Sequence, residues 1–196
     1  MASLVVVGAS MLAVTSSASA TTATVSSSNV TGTATTHAFL RAGSASLDCA
    51  TATATATLTS RSGPLPIAIS TNLQENFSSC TLVGIGGFTV ACTNTSVLSV
   101  TSLTVSGVTQ GTISNVRCTI TVTGLCSADV TGSVTGSYNN LSSPLGQLTV
   151  NAAGQSLNVV NSTCGSLLPN GSATFTGPSG ANLVYNISPR TTVTVA

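Results

Sequence analysis

Charge is the scarcest property of this sequence. Only 4% of its 196 residues are charged, against roughly 25% in soluble globular domains. Lysine is absent, and four arginines against three acidic residues give a net charge of +1. Without a basic cluster the chain lacks the counterion release on which non-specific nucleic-acid binding depends, and it lacks a polybasic membrane patch. We therefore expect no nucleic acid and no anionic membrane surface as a partner.

Residues that catalyse reactions or bind metals are equally few. The only histidine is His37, and neither a GxSxG motif nor a CxxC or CxxH pair occurs. The three acids, Asp48, Glu75 and Asp129, stand apart in a strand edge, a short helix and a hairpin, so we interpret them as solvated surface charges. No triad through His37 and no cooperating pair of carboxylates is expected. The sequence thus predicts no enzyme, no catalytic residue, no cofactor and no bound metal.

Aromatic residues and long apolar runs are also scarce. Aromatics make up 3% of the chain and tryptophan is absent, which is too few for the interfacial girdles of an outer-membrane barrel. No stretch after the N-terminus approaches the roughly 20 apolar residues of a transmembrane helix, so the mature chain is expected to have no membrane span.

The first twenty residues resemble an export signal. Residues 4–14 are apolar, and Ala18-Ser19-Ala20 supplies the small residues of a cleavage site. The segment departs from the usual pattern because no basic residue precedes the apolar run, and a buried N-terminal strand is the alternative. We predict a signal peptide at 1–20 and a secreted or cell-surface protein. Residues 21–43 are predicted to form a loosely ordered Ser/Thr-rich arm, or alternatively an edge strand, before a single domain at 44–196.

Abundant residues favour β-structure. Serine and threonine supply about a third of the chain, and valine, alanine and glycine most of the remainder. Alanine and threonine alternate from residue 50 to 57, and short alternating runs return at 145–150, 156–160, 173–177 and 183–187. The one predicted helix is short, at 71–77, where Thr71 and Gln74 match a capping box. The fold class is all-β, an antiparallel sandwich or closed barrel of short strands tied by disulfides.

Residues 117–140 form the clearest predicted hairpin. Cys118, Ile120 and Val122 share one face, which keeps apolar side chains together if Val122 lies opposite Ala128 or Val130. In that register Arg117 is too far from Asp129 to form a salt bridge. The same register directs Cys118 into the core, opposite Gly132 or Val134, while Cys126 anchors the turn.

An even number of cysteines in an exported chain indicates disulfides. The candidates are Cys49, Cys80, Cys92, Cys118, Cys126 and Cys164. Sequential pairing (49–80, 92–118 and 126–164) is favoured because neighbouring strands usually pair. The competing pair is 80–92, across a hairpin that turns at residues 84–87.

Three stretches carry a family resemblance: residues 162–177 (STCGSLLPNGSATFTG), 187–194 (ISPRTTVT) and 134–138 (VTGSY). In these the chain resembles a group of uncharacterised Thr/Gly-rich secreted proteins of actinobacteria, over about its last 80 residues. The resemblance implies export and an all-β domain, and it transfers no functional residues.

The sequence favours a non-catalytic extracellular or cell-wall-associated domain with a structural or weak binding role. Its partner would be a cell-wall polymer, although binding sites for glycans usually present more aromatic rings. The alternative is a self-assembling surface protein, because low charge and high β-propensity favour pairing between sheet edges. An outer-membrane-type β-barrel is the third and weakest interpretation.

Overall fold

The computed structural model describes residues 20–82 and 86–196, and about two-thirds of them belong to antiparallel strands. The predicted signal peptide lies outside the described residues except for Ala20. The strands are β1 (Thr21–Val25), β2 (Asn29–Ala34), β3 (Ala38–Ala42), β4 (Ala45–Thr57), β5 (Arg61–Gly63), β6 (Ile67–Leu82), β7 (Gly86–Cys92), β8 (Ser96–Val100), β9 (Val108–Val122), β10 (Cys126–Asn139), β11 (Gly146–Val150), β12 (Leu157–Val160), β13 (Gly171–Thr176), β14 (Leu183–Ser188) and β15 (Val193–Val195). Two single-turn 3₁₀ helices, Gly165–Leu167 and Pro178–Gly180, interrupt the C-terminal third.

The strand pairings close into a barrel. At one end, which we call the top, the hydrogen-bonded ring runs β4-β6-β7-β9-β10-β12-β13-β3 and returns to β4. At the other end, the base, it runs β4-β6-β8-β9-β10-β11-β14-β2 and again returns to β4. The long strands β4, β6, β9 and β10 run through both rings, and pairs of short strands fill the other positions end to end. The predicted all-β class is confirmed, and the closed barrel is the architecture.

Alternation along the strands decides what faces inward. On β10, Ala128, Val130, Val134, Gly136 and Tyr138 are buried, while the serines, the threonines and Asp129 between them are partly exposed. The predicted sharing of faces in this hairpin is therefore confirmed. On β4, Ala52 and Ala56 are buried, whereas Ala50 is exposed and does not join the alanine face.

The register of the hairpin differs from the prediction. Val122 lies opposite Cys126, and Cys118 lies opposite Val130, because a three-residue turn at 123–125, with Gly124 at φ 75°, lets pairing continue up to the turn. Cys118 is buried as predicted. Arg117 lies opposite Thr131 and donates to Asn115, while Asp129 accepts hydrogen bonds from Thr119 and Asn161.

The predicted arm at 21–43 is ordered. Strand β1 lies between β15 and β5, with Ala23 fully buried, and β2 and β3 are part of the barrel wall. Threonine suits an extended backbone, and small side chains suffice here because partner strands supply the hydrogen bonds. The barrel domain therefore includes residues assigned to the arm.

The predicted helix at 71–77 is absent, because these residues belong to strand β6. Its local capping signal covers too few residues to nucleate a stable helix. Strand β6 is instead paired on both sides, with β4 on one side and with β7 and β8 on the other. No helix in the described residues is both long enough and apolar enough to cross a membrane.

The sequential disulfide pairing is confirmed. Bonds join Cys49 to Cys80, Cys92 to Cys118 and Cys126 to Cys164. The alternative 80–92 pair fails because the β6–β7 hairpin places Cys80 opposite Phe88. The first two bonds link neighbouring wall strands, and the third ties the β9–β10 turn to the loop at 161–170 on the top rim.

A small three-stranded sheet, β15-β1-β5, is associated with the base. Strand β15 is held on its other side by side chains and by the backbone amide of Thr104, which donates to the Val195 carbonyl (3.0 Å), rather than by a strand. Asn140, which is buried, donates from its amide nitrogen to the Val193 carbonyl (2.8 Å) and accepts from the Val193 amide (2.7 Å). The buried Thr109 hydroxyl also donates to the Val193 carbonyl (3.0 Å), and Tyr138 donates to the Thr191 carbonyl (2.6 Å).

Candidate functional site

The barrel is incompletely filled. Two adjoining cavities of about 70 and 100 Å³ lie along its interior, the first toward the base and the second toward the top. They share lining residues: Ala54, Leu73, Leu98, Ile113, Val134, Leu148, Val150 and Tyr185. Several of these side chains, such as Leu98, Ile113 and Leu148, are only half-buried although they line the interior, because they border open space.

The small side chains of β4 help explain the space. Ala54 lines both cavities, and Ala56 lines the one toward the base. In an open sandwich, a facing sheet could approach such a stripe until it made contact. In a closed barrel the number of strands fixes the diameter, so the opposite wall cannot move in and the volume stays empty.

Glu75 is the acidic residue among those that line the larger cavity. It lies on β6 between Leu73 and Phe77 in the alternation, and all three side chains line this space. The fully buried Ser96 hydroxyl donates to Glu75 Oε2 at 3.3 Å. Burial raises the pKa of Glu75 to about 7, and hydrogen bonds from Ser96 and from its own backbone offset only part of that effect. Burial disfavours the charged form of a carboxyl group.

Tyr185, on β14, lines the same cavity. Burial raises its pKa, and the charge of Glu75 raises it further. Phe77 and Phe175 meet edge to face, with ring centroids 5.5 Å apart, and Phe88 completes the aromatic part of the lining. The larger cavity is therefore an apolar space with aromatic walls and one ionisable carboxyl.

The lining carries no positive charge to balance that carboxyl. Apart from Glu75 and Tyr185, the residues around the larger cavity are aliphatic or aromatic, or are disulfide-bonded cysteines. The smaller cavity adds only uncharged residues, among them Thr109, Thr191 and Tyr138. A buried carboxyl without a counter-charge is costly to ionise, and in a cavity such a group indicates a candidate functional site.

The other predicted surface acids do not converge on this site. Asp48 Oδ1 lies 2.9 Å from His37 Nδ1 and forms a hydrogen bond with it on the exposed outer side of the β3–β4 pair. It is thus not the isolated charge that the sequence predicts. Asp129 is exposed, and hydrogen bonds from Asn161 and Thr119 lower its pKa. In the part of the chain that the structure describes, His, Cys, Asp and Glu form no group of three that could hold a metal.

Glu75 is the candidate functional residue that sequence reasoning missed. The predicted helix at 71–77 would leave Glu75 as a solvated surface charge. This prediction is wrong, because these residues belong to strand β6, which directs the Glu75 side chain toward the barrel interior. A usable signal was present: Leu73, Glu75 and Phe77 alternate, so a strand would place the carboxyl on an apolar face. The His37–Asp48 pair was also missed, since it depends on the β3–β4 register.

Comparison of the chain with protein families, curated proteins and solved structures gives no match. The site is therefore interpreted from its own geometry.

Proposed function

We propose that this protein is an exported, non-catalytic binding domain of the extracellular space or cell wall, which holds a small apolar molecule inside its barrel. The observation that carries the proposal is the aromatic-walled cavity into which Glu75 projects. Binding sites for small molecules are typically apolar cavities with a few well-placed polar groups, and closed barrels of eight strands hold single small ligands in this way.

Cavity size limits the ligand. An apolar protein cavity of about 150 Å³ accommodates benzene, and the two adjoining cavities here have volumes of about 70 and 100 Å³. A ligand that occupies both cavities is accordingly about the size of one aromatic ring or a chain of four to six carbons. We therefore locate the proposed weak binding inside the barrel and not on its threonine-rich outer face.

Export is supported by the three disulfides, since such bonds persist in oxidising compartments. A non-catalytic role is supported by the separation of the acids: Asp48 and Asp129 lie on the outside and Glu75 lies inside. The resemblance to Thr/Gly-rich secreted proteins of actinobacteria agrees with export.

Toluene binding tests this function. Ligand-observed NMR should detect toluene bound to the oxidised protein, and Ala54→Leu should weaken binding at least ten-fold by filling both cavities. The matched control is Ala50→Leu on the same strand, which adds the same atoms at an exposed position and should leave binding unchanged.

The proposal fails if the wild-type protein binds no toluene, or if Ala50→Leu and Ala54→Leu weaken binding equally. Should Ala54→Leu not fold, Leu148→Ala offers a second test. It enlarges both cavities, so it should raise the affinity for the bulkier propylbenzene relative to toluene, and an unchanged ratio would contradict an interior site.

A further inference from the structure

We infer that the interior site selects a small hydrophobic amine, whose ammonium group pairs with the Glu75 carboxylate while its apolar body fills the aromatic-walled cavity. This inference rests on the proposed function and adds the chemical class of the ligand.

Charge balance is the first argument. Glu75 is the one acidic residue of the cavity lining, and no lysine, arginine or histidine lines either cavity. Ser96 supplies a single hydrogen bond of 3.3 Å to one carboxylate oxygen. A carboxylate accepts about four hydrogen bonds, and Ser96 and the backbone of Glu75 supply two of them, so capacity remains for a donor that reaches the group from the cavity.

Aromatic walls are the second argument. Phe77, Phe88, Phe175 and Tyr185 line the larger cavity, in a chain with only four phenylalanines and two tyrosines. The faces of aromatic rings attract cations, more strongly when water is excluded. A carboxylate surrounded by aromatic rings therefore favours an ammonium ion over a neutral group and disfavours an anion.

Other titratable groups do not alter this preference. Tyr185 on β14 is the other ionisable group that lines the larger cavity with Glu75, and burial together with the Glu75 charge keeps its phenol protonated. The lining residues contributed by β3, β4 and β7 to β13 are uncharged. An ammonium ligand also favours the ionised carboxyl, which burial otherwise disfavours.

Three ligands of matched size test the inference: benzylamine, benzyl alcohol and benzoate, titrated calorimetrically into the oxidised protein at pH 8. Benzylamine, which is cationic at this pH, should bind at least ten-fold more tightly than benzyl alcohol, and benzoate should bind least. In Glu75→Gln, which retains the shape of the side chain, the affinities for benzylamine and benzyl alcohol should become equal within three-fold. Asp129→Asn, which removes an exposed acid, should preserve the wild-type preference.

A preference for benzylamine below ten-fold in the wild type, or one that Glu75→Gln retains, overturns the inference while leaving apolar binding in place. Absence of binding by all three ligands and by toluene overturns the proposed function itself. If Glu75→Gln does not fold, the wild type at pH 5.5 replaces it. There the protonated carboxyl should reduce the amine-to-alcohol preference at least five-fold, and an unchanged preference would contradict a role for Glu75.

Discussion

Glu75 illustrates how the environment of one residue changes its chemistry. In solution its carboxyl would be ionised at neutral pH, but burial in the barrel raises its pKa to about 7. Below about pH 4.5 the group is protonated in both the folded and the unfolded protein. As the pH rises from there to about 7, the unfolded chain releases its proton first, so stability falls.

The first prediction concerns this pH dependence. The free energy of unfolding of the wild type should fall by up to about 3 kcal/mol between pH 4.5 and 8, from a pKa difference of about 2.5 at roughly 1.4 kcal/mol each. Glu75→Gln should remove this decrease, as measured by urea unfolding across the range. Asp129→Asn is the control, because the pKa of Asp129 is lowered and that group stays ionised throughout the window. Equal slopes for wild type and Glu75→Gln would refute a buried Glu75.

At the scale of single elements, the C-terminal strand depends on a side chain that acts as a neighbouring strand would. Asn140 donates to and accepts from the backbone of Val193, so its amide replaces one rung of a β-ladder. Arg190 donates to the backbone carbonyl of Asn140 (2.9 Å) and so helps to hold Asn140 in position.

Asn140→Ala should therefore destabilise the protein by about 2–4 kcal/mol, because it leaves two buried backbone groups of β15 with fewer partners. Chemical denaturation measures the loss, and hydrogen exchange should show faster exchange of the Val193 amide in particular. Asn158→Ala, at an exposed position on β12, should cost less than about 0.5 kcal/mol. Similar losses in the two variants would argue against this role for Asn140.

The third disulfide constrains the top rim. Cys126 and Cys164 are separated by 38 residues in the chain. Closing a loop of that length removes entropy from the unfolded state and so raises its free energy by roughly 4 kcal/mol at 25 °C. The double variant Cys126→Ser/Cys164→Ser should lose about that much stability in guanidinium unfolding. Native protein should show no free thiol in an Ellman assay, and detection of one would contradict the pairing.

At the scale of the whole molecule, closure decides how the protein behaves toward copies of itself. Within the described residues every barrel strand has partners on both sides, and the small sheet at the base ends in the three-residue strand β5, which carries Arg61. Closed barrels remove the exposed edges that drive strand addition. Closure therefore limits association between strand edges despite the low charge and high β-propensity of the chain.

We accordingly expect the oxidised protein to sediment as a monomer and not to bind thioflavin T. Reduction of the disulfides should promote assembly, because transient opening of the barrel exposes strand edges that are paired in the closed barrel. Polymers formed by the oxidised protein would favour self-assembly over the binding function.

Sequence alone determined the class of structure, since alternation of Val, Thr and Ala allows little besides strands. The even number of cysteines indicated disulfides, and the tendency of neighbouring strands to pair favoured the observed connectivity. It also identified the shared faces of β9 and β10, because a two-residue period is a local property. The residue opposite Val122 was decided by the length of the turn at 123–125, whereas the order of residues 21–43 and the strand conformation of 71–77 were decided by partners distant in the chain.

Tertiary structure alone decided that the barrel closes, that its alanine face leaves a cavity, and that Glu75 projects into it. The reason is that closure depends on pairings between strands far apart in sequence. The complete ring of strands sets the diameter of the barrel, and the diameter in turn determines how deeply the Glu75 side chain is buried. In an open sheet the same Leu73-Glu75-Phe77 alternation would only mark an apolar face, whereas in the closed barrel these three residues line the cavity of the candidate site.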